Sequence, residues 1–259
     1  MTFGVIGSGR FGVLWANILS SQGEVILWGR NLEKAARAAE SAGVRCASSL
    51  EEAAQCDVVF ISVPISEFEG MCAKLVPLVR EDTIVADVCS VKVYPVSVMK
   101  KVFPKSQPII ATHPLFGPDS VARLGVPGRK LVLCNVTAPE ERYNAILEIF
   151  LAVELRVIET TPESHDRDMA RSQALIHFIG RGIAGVGLEE QEVETPDYES
   201  FLRLQKMVVN DTWQLFFDMQ TYNPYARLQR QTLLAHLQEL ERKLSETQEE
   251  RGMRCDVTD

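Results

Sequence analysis

The chain has 259 residues, 46% of them hydrophobic and 24% charged, with a formal net charge of -8. This is a globular composition, with apolar material for one large domain or two ordinary ones, and it excludes a disordered or collagen-like chain. The negative balance argues against a general affinity for nucleic acid or anionic lipid, although a local basic pocket could still hold an anion.

The chain opens on an apolar strand, "FGVIG", which runs into the glycine-rich "GVIGSGRFG" of residues 4–12 and a helical stretch ending at Gly23. A second strand, "EVILWGR", precedes the helix "NLEKAARAAESAG", with Asn31 suited to cap its start and Gly43 to lie past its end. The strand "CDVVFISVP", the helix "ISEFEGMCAKLVPLV", the strand "TIVADVCS", the helix "VKVYPVSVMKKVF" and the strand "PIIATHP" follow in turn. "RKLVLCN" and "LRVIETT" read as two more strands. All are continuous apolar runs, as expected of a parallel sheet covered by helices on both faces. After about Thr161 the pattern becomes helical throughout, beginning with one long helix, "PESHDRDMARSQALIHFIGRGIAGVGLE". The expected fold is α/β: a doubly wound, mostly parallel sheet over residues 1–160, then an all-helical domain over residues 161–259 that frays from about residue 245.

The six cysteines, Cys46, Cys56, Cys72, Cys89, Cys134 and Cys255, form no CxxC pair. They are expected to be reduced thiols, with no disulfide and no metal site. No stretch reaches the ~18 apolar residues of a membrane span. The first strand starts almost at Met1, which leaves no room for a signal peptide, so a cytoplasmic protein is expected.

The glycines of residues 4–12 stand where a Rossmann-like dinucleotide fold needs them, after a strand and before a helix. Gly7 would permit the tight turn, Gly9 the approach of a pyrophosphate, and Gly12 close packing of helix on strand. Ser8, Arg10 and Phe11 lie within the same loop, at a helix start whose free N–H groups suit phosphates. An acidic residue at the end of the second strand would bond the ribose of NAD. This chain instead has Gly29 and Arg30, a space and a cation for a 2′-phosphate. NADP is the expected cofactor, with NAD possible.

Open α/β sheets bind ligands beyond the carboxyl ends of their strands. Val63 and Pro64 of "ISVPI" would line the cofactor there. Ser90 of "DVCSVK" and His113 of "THPLFGPDS" come to the same rim. A histidine ring can accept a proton near neutral pH, so His113 is the expected base.

Taken in order, "GVIGSGRFG", "DVCSVK", "THPLFGPDS", "ESHDRDMARSQALIHF" and "SFLRLQKMVVNDTW…YNPYA" resemble the prephenate and arogenate dehydrogenases of tyrosine biosynthesis. "HPLFGPDS" and "YNPYA" look like the plant-type arogenate enzymes, and the helix like the enterobacterial prephenate enzymes as well. The resemblance implies oxidative decarboxylation of arogenate or prephenate with hydride transfer to NADP. It gives His113 the substrate hydroxyl proton and sets Ser90 between that hydroxyl and the nicotinamide. It places a substrate carboxylate on an arginine, matched here by Arg203. Family members often carry "SHLPH" on the long helix, whereas this chain has "SQALIH"; His177 matches the second histidine and Gln173 replaces the first. Both are substrate-binding candidates. A homodimer through the helical domain is also implied.

The two histidines of the long helix lie twelve positions apart, which on an ideal helix separates them by about 120°. They are therefore expected on different faces, with His165 exposed and Met169, Ile176 and Ile183 in the core. Leu233, Leu237, Leu240 and Leu244 form a packing seam that could lie between subunits. Two other readings stand beside the leading one. One is a non-catalytic NADP sensor, which would need no His113, Ser90 and Arg203 together. The other is a hydroxyacid dehydrogenase of similar build, which would be expected to carry a lysine on the long helix; none lies between Pro162 and Glu190.

Overall fold

The computed structural model describes residues 1–250; Cys255 and the rest of residues 251–259 lie outside them. Eight strands form one sheet: β1 (Thr2–Ile6), β2 (Glu24–Trp28), β3 (Arg45–Cys46), β4 (Val58–Ile61), β5 (Ile84–Asp87), β6 (Ile109–Pro114), β7 (Lys130–Asn135) and β8 (Arg156–Glu159). Their spatial order is β3-β2-β1-β4-β5-β6-β7-β8. All neighbours are parallel except β6 and β7, where Ala111 pairs with Cys134 and His113 with Val132. The fold is thus the expected doubly wound, mostly parallel sheet. The two-residue β3 is too short to stand out from its flanking helices in sequence.

Seven helices connect the strands: α1 (Arg10–Leu19), α2 (Leu32–Ala42), α3 (Leu50–Ala54), α4 (Ile65–Leu75), α5 (Val93–Val102), α6 (Pro118–Leu124) and α7 (Glu140–Ala152). The boundaries of α2 follow its sequence: the Asn31 side chain accepts the Lys34 N–H at 2.9 Å, and Gly43 closes the helix at φ 68°. Each sheet face has its own core. On one, Trp15 meets Phe60 edge-on at 5.5 Å and Phe150 at 5.7 Å. On the other lie Ile61, Phe68 and Leu75, with the buried thiols of Cys56, Cys72, Cys89 and Cys134.

The remaining described residues are helical: α8 (Pro162–Met169), a π-helical turn (Ala170–Ala174), α9 (Leu175–Val186), α10 (Pro196–Val209), α11 (Trp213–Tyr222) and α12 (Ala226–Glu250). The long helix therefore runs unbroken from Pro162 to Val186, with one π turn inside it. Gln220 Nε2 donates to the Ala174 carbonyl at the end of the turn, and Asn223 Nδ2 to that of Asp166, four residues before its start. α12 continues to Glu250, and the rest of the tail expected to fray from about residue 245 lies outside the described residues. Leu233 is half-buried, and Leu237, Leu240 and Leu244 are exposed along α12. Among the described residues, no helix is long and apolar enough to cross a membrane.

The helices dock on the carboxyl ends of the strands. Asp218 of α11 accepts the Ser66 N–H at the start of α4, and the Tyr94 and Tyr222 rings meet at 4.4 Å. Asp166 of α8 accepts the Lys92 and Val93 N–H groups at the start of α5, at 2.7 and 2.9 Å. A carboxylate there sits favourably at the positive end of the helix dipole.

Candidate active site

Two adjoining hollows lie at the switch point between β1 and β4. The first, about 480 Å³, is framed by Gly7, Ser8, Gly9, Gly29 and Arg30. The second, about 600 Å³, holds Ser90, His113, Gln173 and His177. Gly9, Ser62, Val63 and Pro64 border both, so the two form one continuous groove.

The first hollow fits a dinucleotide. Gly7 adopts φ 133°, and a Cβ there would fall 2.1 Å from the Ser62 carbonyl oxygen. At Gly12 a Cβ would lie 1.9 Å from the Gly7 oxygen. A Cβ at Gly9, by contrast, would meet nothing within 4 Å, and no side chain caps the start of α1. Helix amides therefore face open space of the kind a pyrophosphate fills. Gly29 lines the same hollow, and a Cβ there would strike the Ser8 hydroxyl at 2.3 Å. Arg30 lies at the rim, 3.5 Å from Glu67, with Lys34 and Lys74 on the same hollow. Arg10 and Phe11 line the second hollow rather than the first.

In the second hollow, a relay of three side chains begins at His113. His113 Nδ1 lies 2.8 Å from His165 Nε2, and His165 Nδ1 lies 2.7 Å from Asp166 Oδ1. A carboxylate only accepts, so His165 Nδ1 donates to it. Neutral His165 then accepts at Nε2, and His113 must donate from Nδ1. That leaves His113 Nε2 as a lone-pair acceptor. Burial first, then His165 and Lys92, push His113 well below its ordinary pKa, while burial lowers His165 against the pull of Asp166. Both rings are neutral at physiological pH.

His165 is 2% exposed, not a surface residue. The expected separation from His177 fails because of the π turn. One inserted residue absorbs about 100° and brings the two histidines to within about 20° of each other. The same shift leaves Ile176 38% exposed rather than in the core, with Met169 and Ile183 half-buried.

Beneath the relay, Lys92 is fully buried. Its ammonium pairs with Asp87 and donates to the Thr112 carbonyl at 2.5 Å. Burial raises the Asp87 carboxyl despite this partner, and Asp87 Oδ1 has no hydrogen-bond partner among the described residues.

Gln173 and His177 both border the groove. Among the described residues, Gln173 Oε1 and His177 Nδ1 are buried without a hydrogen-bond partner. Asp211, between α10 and α11, comes to 3.7 Å from His177 Nε2. Burial raises its carboxyl, and His177 opposes the rise. Arg203 is not brought to the groove. It stands on α10 with its side chain 64% exposed, bonded to Ser200 and 3.5 Å from Glu199. Matching a short motif located its helix but not the face it points from.

The nucleotide-binding domain of prephenate dehydrogenase, taken as a family, matches residues 16–159. The chain belongs to the prephenate dehydrogenase family. A second family, the TYRAAT1-like C-terminal domain, matches residues 183–255. Arogenate dehydrogenase 1, chloroplastic, of Arabidopsis thaliana is 31% identical over 85% of the chain and 36% of its own length. For arogenate dehydrogenase 2, chloroplastic, from the same plant, the figures are 30%, 88% and 66%. The chain thus spans between 36% and 66% of the first curated relatives it matches. Among solved structures, prephenate dehydrogenase from A. aeolicus, in complex with hydroxyphenyl propionate and NAD+, superposes with TM-score 0.77 at 20% identity, covering 97% of this chain and 93% of that one. Synechocystis arogenate dehydrogenase gives TM-score 0.71 at 21% identity, covering 96% and 93%. The likeness in prephenate dehydrogenase fold thus extends through the helical region, beyond the part matched by the nucleotide-binding family.

Proposed function

We propose that the chain oxidises and decarboxylates arogenate to tyrosine, with NADP as hydride acceptor. The observation that carries this reading is His113. Its Nε2 lone pair, fixed by His165 and Asp166, stands in a groove continuous with a dinucleotide hollow. Relatives named arogenate dehydrogenase support the substrate class.

Gly7, Gly9 and Gly12 with the start of α1 would hold the pyrophosphate, and Arg30, Lys34 and Lys74 a 2′-phosphate. When bound, the nicotinamide supplies the hydride acceptor. His113 Nε2 takes the proton of the substrate hydroxyl as the carbinol C–H bond breaks. The C–C bond to the ring carboxylate then breaks, its electrons aromatise the ring, and carbon dioxide leaves. His113 returns its proton to the resulting phenolate oxygen, so no net proton is released. Ser90, on the same rim, orients the hydroxyl. Gln173 and His177 meet polar groups of the substrate.

Asp211 favours arogenate over prephenate. The carboxyl is raised by burial and gains from a cation, and arogenate carries an ammonium where prephenate has a keto group. Side-by-side kinetics with both substrates and both cofactors test the reading. Arogenate with NADP should have the highest kcat/KM; turnover of neither substrate would sink it. Asp211→Asn should lower kcat/KM for arogenate by roughly 10- to 100-fold, as for loss of a charged hydrogen bond, and spare prephenate. Equal losses on the two substrates would show that Asp211 does not read the ammonium.

The cofactor choice has its own test. Arg30→Ala should weaken NADP roughly tenfold, about 1.5 kcal/mol for one exposed charge-assisted contact, and leave NAD unchanged. A like loss for both cofactors would remove Arg30 from the phosphate.

A further inference from the structure

Arogenate carries two carboxylates, yet Arg10 is the only lysine or arginine among the described residues lining the second hollow. Its backbone begins α1. The side chain lines the second hollow and pairs with Asp119 in the first turn of α6. Both partners are open to water, 62% and 58% exposed, and exposed pairs of this kind are held weakly. Arg10 can therefore exchange one carboxylate for another. Asp211 stands near enough to feel both Arg10 and Asp119, which sets an acid and a base at one mouth.

We propose that Arg10 releases Asp119 and takes the α-carboxylate of the substrate's amino-acid arm, while the ammonium of that arm faces Asp211. The assignment rests on the arogenate reading above and adds the residue that replaces Arg203 as anchor. A guanidinium fork suits a carboxylate, and an ammonium in its place fits poorly. Asp119 then acts as a placeholder that competes with substrate.

Wild type, Arg10→Ala, Arg10→Lys and Asp119→Asn should be compared for arogenate kinetics. NADPH binding without substrate, and binding of tyrosine and of tyramine to the NADP complex, complete the set. Arg10→Ala should raise the KM for arogenate by about 10- to 100-fold, with a smaller change in kcat. Arg10→Lys should recover little of it, and Asp119→Asn should lower the KM. Tyrosine should bind Arg10→Ala more weakly than wild type, whereas tyramine, which lacks the α-carboxylate, should bind both alike. An unchanged KM in Arg10→Ala, or an equal loss of NADPH binding, would overturn the assignment; the latter would return Arg10 to the pyrophosphate. So would an Asp119→Asn variant whose KM rises. Wild type that turns over neither arogenate nor prephenate removes the arogenate reading and the anchor with it, whereas normal wild-type turnover with an unmoved Arg10→Ala removes the anchor alone.

Discussion

His113→Asn should lower turnover by about 10²–10⁴-fold, the contribution of a positioned general base. Asparagine keeps some hydrogen bonding to His165 but cannot take a proton. NADP affinity should be preserved, because on this proposal the phosphates would sit against Gly7, Ser8 and Gly9, in the other hollow. The pH profile gives the sharper readout. Burial lowers the His113 pKa, so wild type should keep its rate through pH 6.5 and lose it only further into the acid range. That limb reports protonation of Nε2, and His113→Asn should lack it. A variant that turns over normally, or that retains the same acid limb, would place the proton acceptor elsewhere, with His177 the next candidate in the groove.

Lys92→Met should be the costliest single change for stability. Removing one partner of a buried ion pair leaves the other charge uncompensated, which costs about 3–5 kcal/mol. Here the stranded group is Asp87, fully buried, with one oxygen already lacking a partner. The folded chain would hold Asp87 protonated, whereas the unfolded chain ionises it near the ordinary value of 3.8. A carboxyl raised in the folded state loses its penalty as pH falls. The stability deficit against wild type should therefore be largest near neutral pH and shrink toward pH 4. Denaturant melts of both proteins across that range check it. A Lys92→Met protein as stable as wild type at neutral pH would mean that Asp87 is not held by Lys92.

Much of the fold was legible because its signals are local. Continuous apolar runs marked the buried strands, and Asn31 and Gly43 marked the ends of α2. His113 was legible from its place at a strand end before Pro114. What escaped depends on geometry that no local pattern carries. The π turn at Ala170–Ala174 rephases the long helix, so arithmetic on an ideal helix put His165 on the surface and Ile176 in the core. Gln220, which bonds to its last residue, and Asn223, which bonds to Asp166 just before it, lie about fifty positions further on. Lys92 was visible in "DVCSVK", but its burial against Asp87 depends on how β5, β6 and α5 meet. Asp211 lies between two helices that read as one helical region, and its turn at residues 210–212 aims it at His177. Arg203 shows the converse, a motif match without a geometric constraint.

The most direct measurement of the whole account is the product balance with arogenate and NADP. Tyrosine, carbon dioxide and NADPH are quantified together over the same time course. The mechanism predicts equal amounts of the three, with no net proton released, because His113 returns what it takes. NADPH formed without carbon dioxide would contradict it, as that would be a plain alcohol oxidation and not an oxidative decarboxylation.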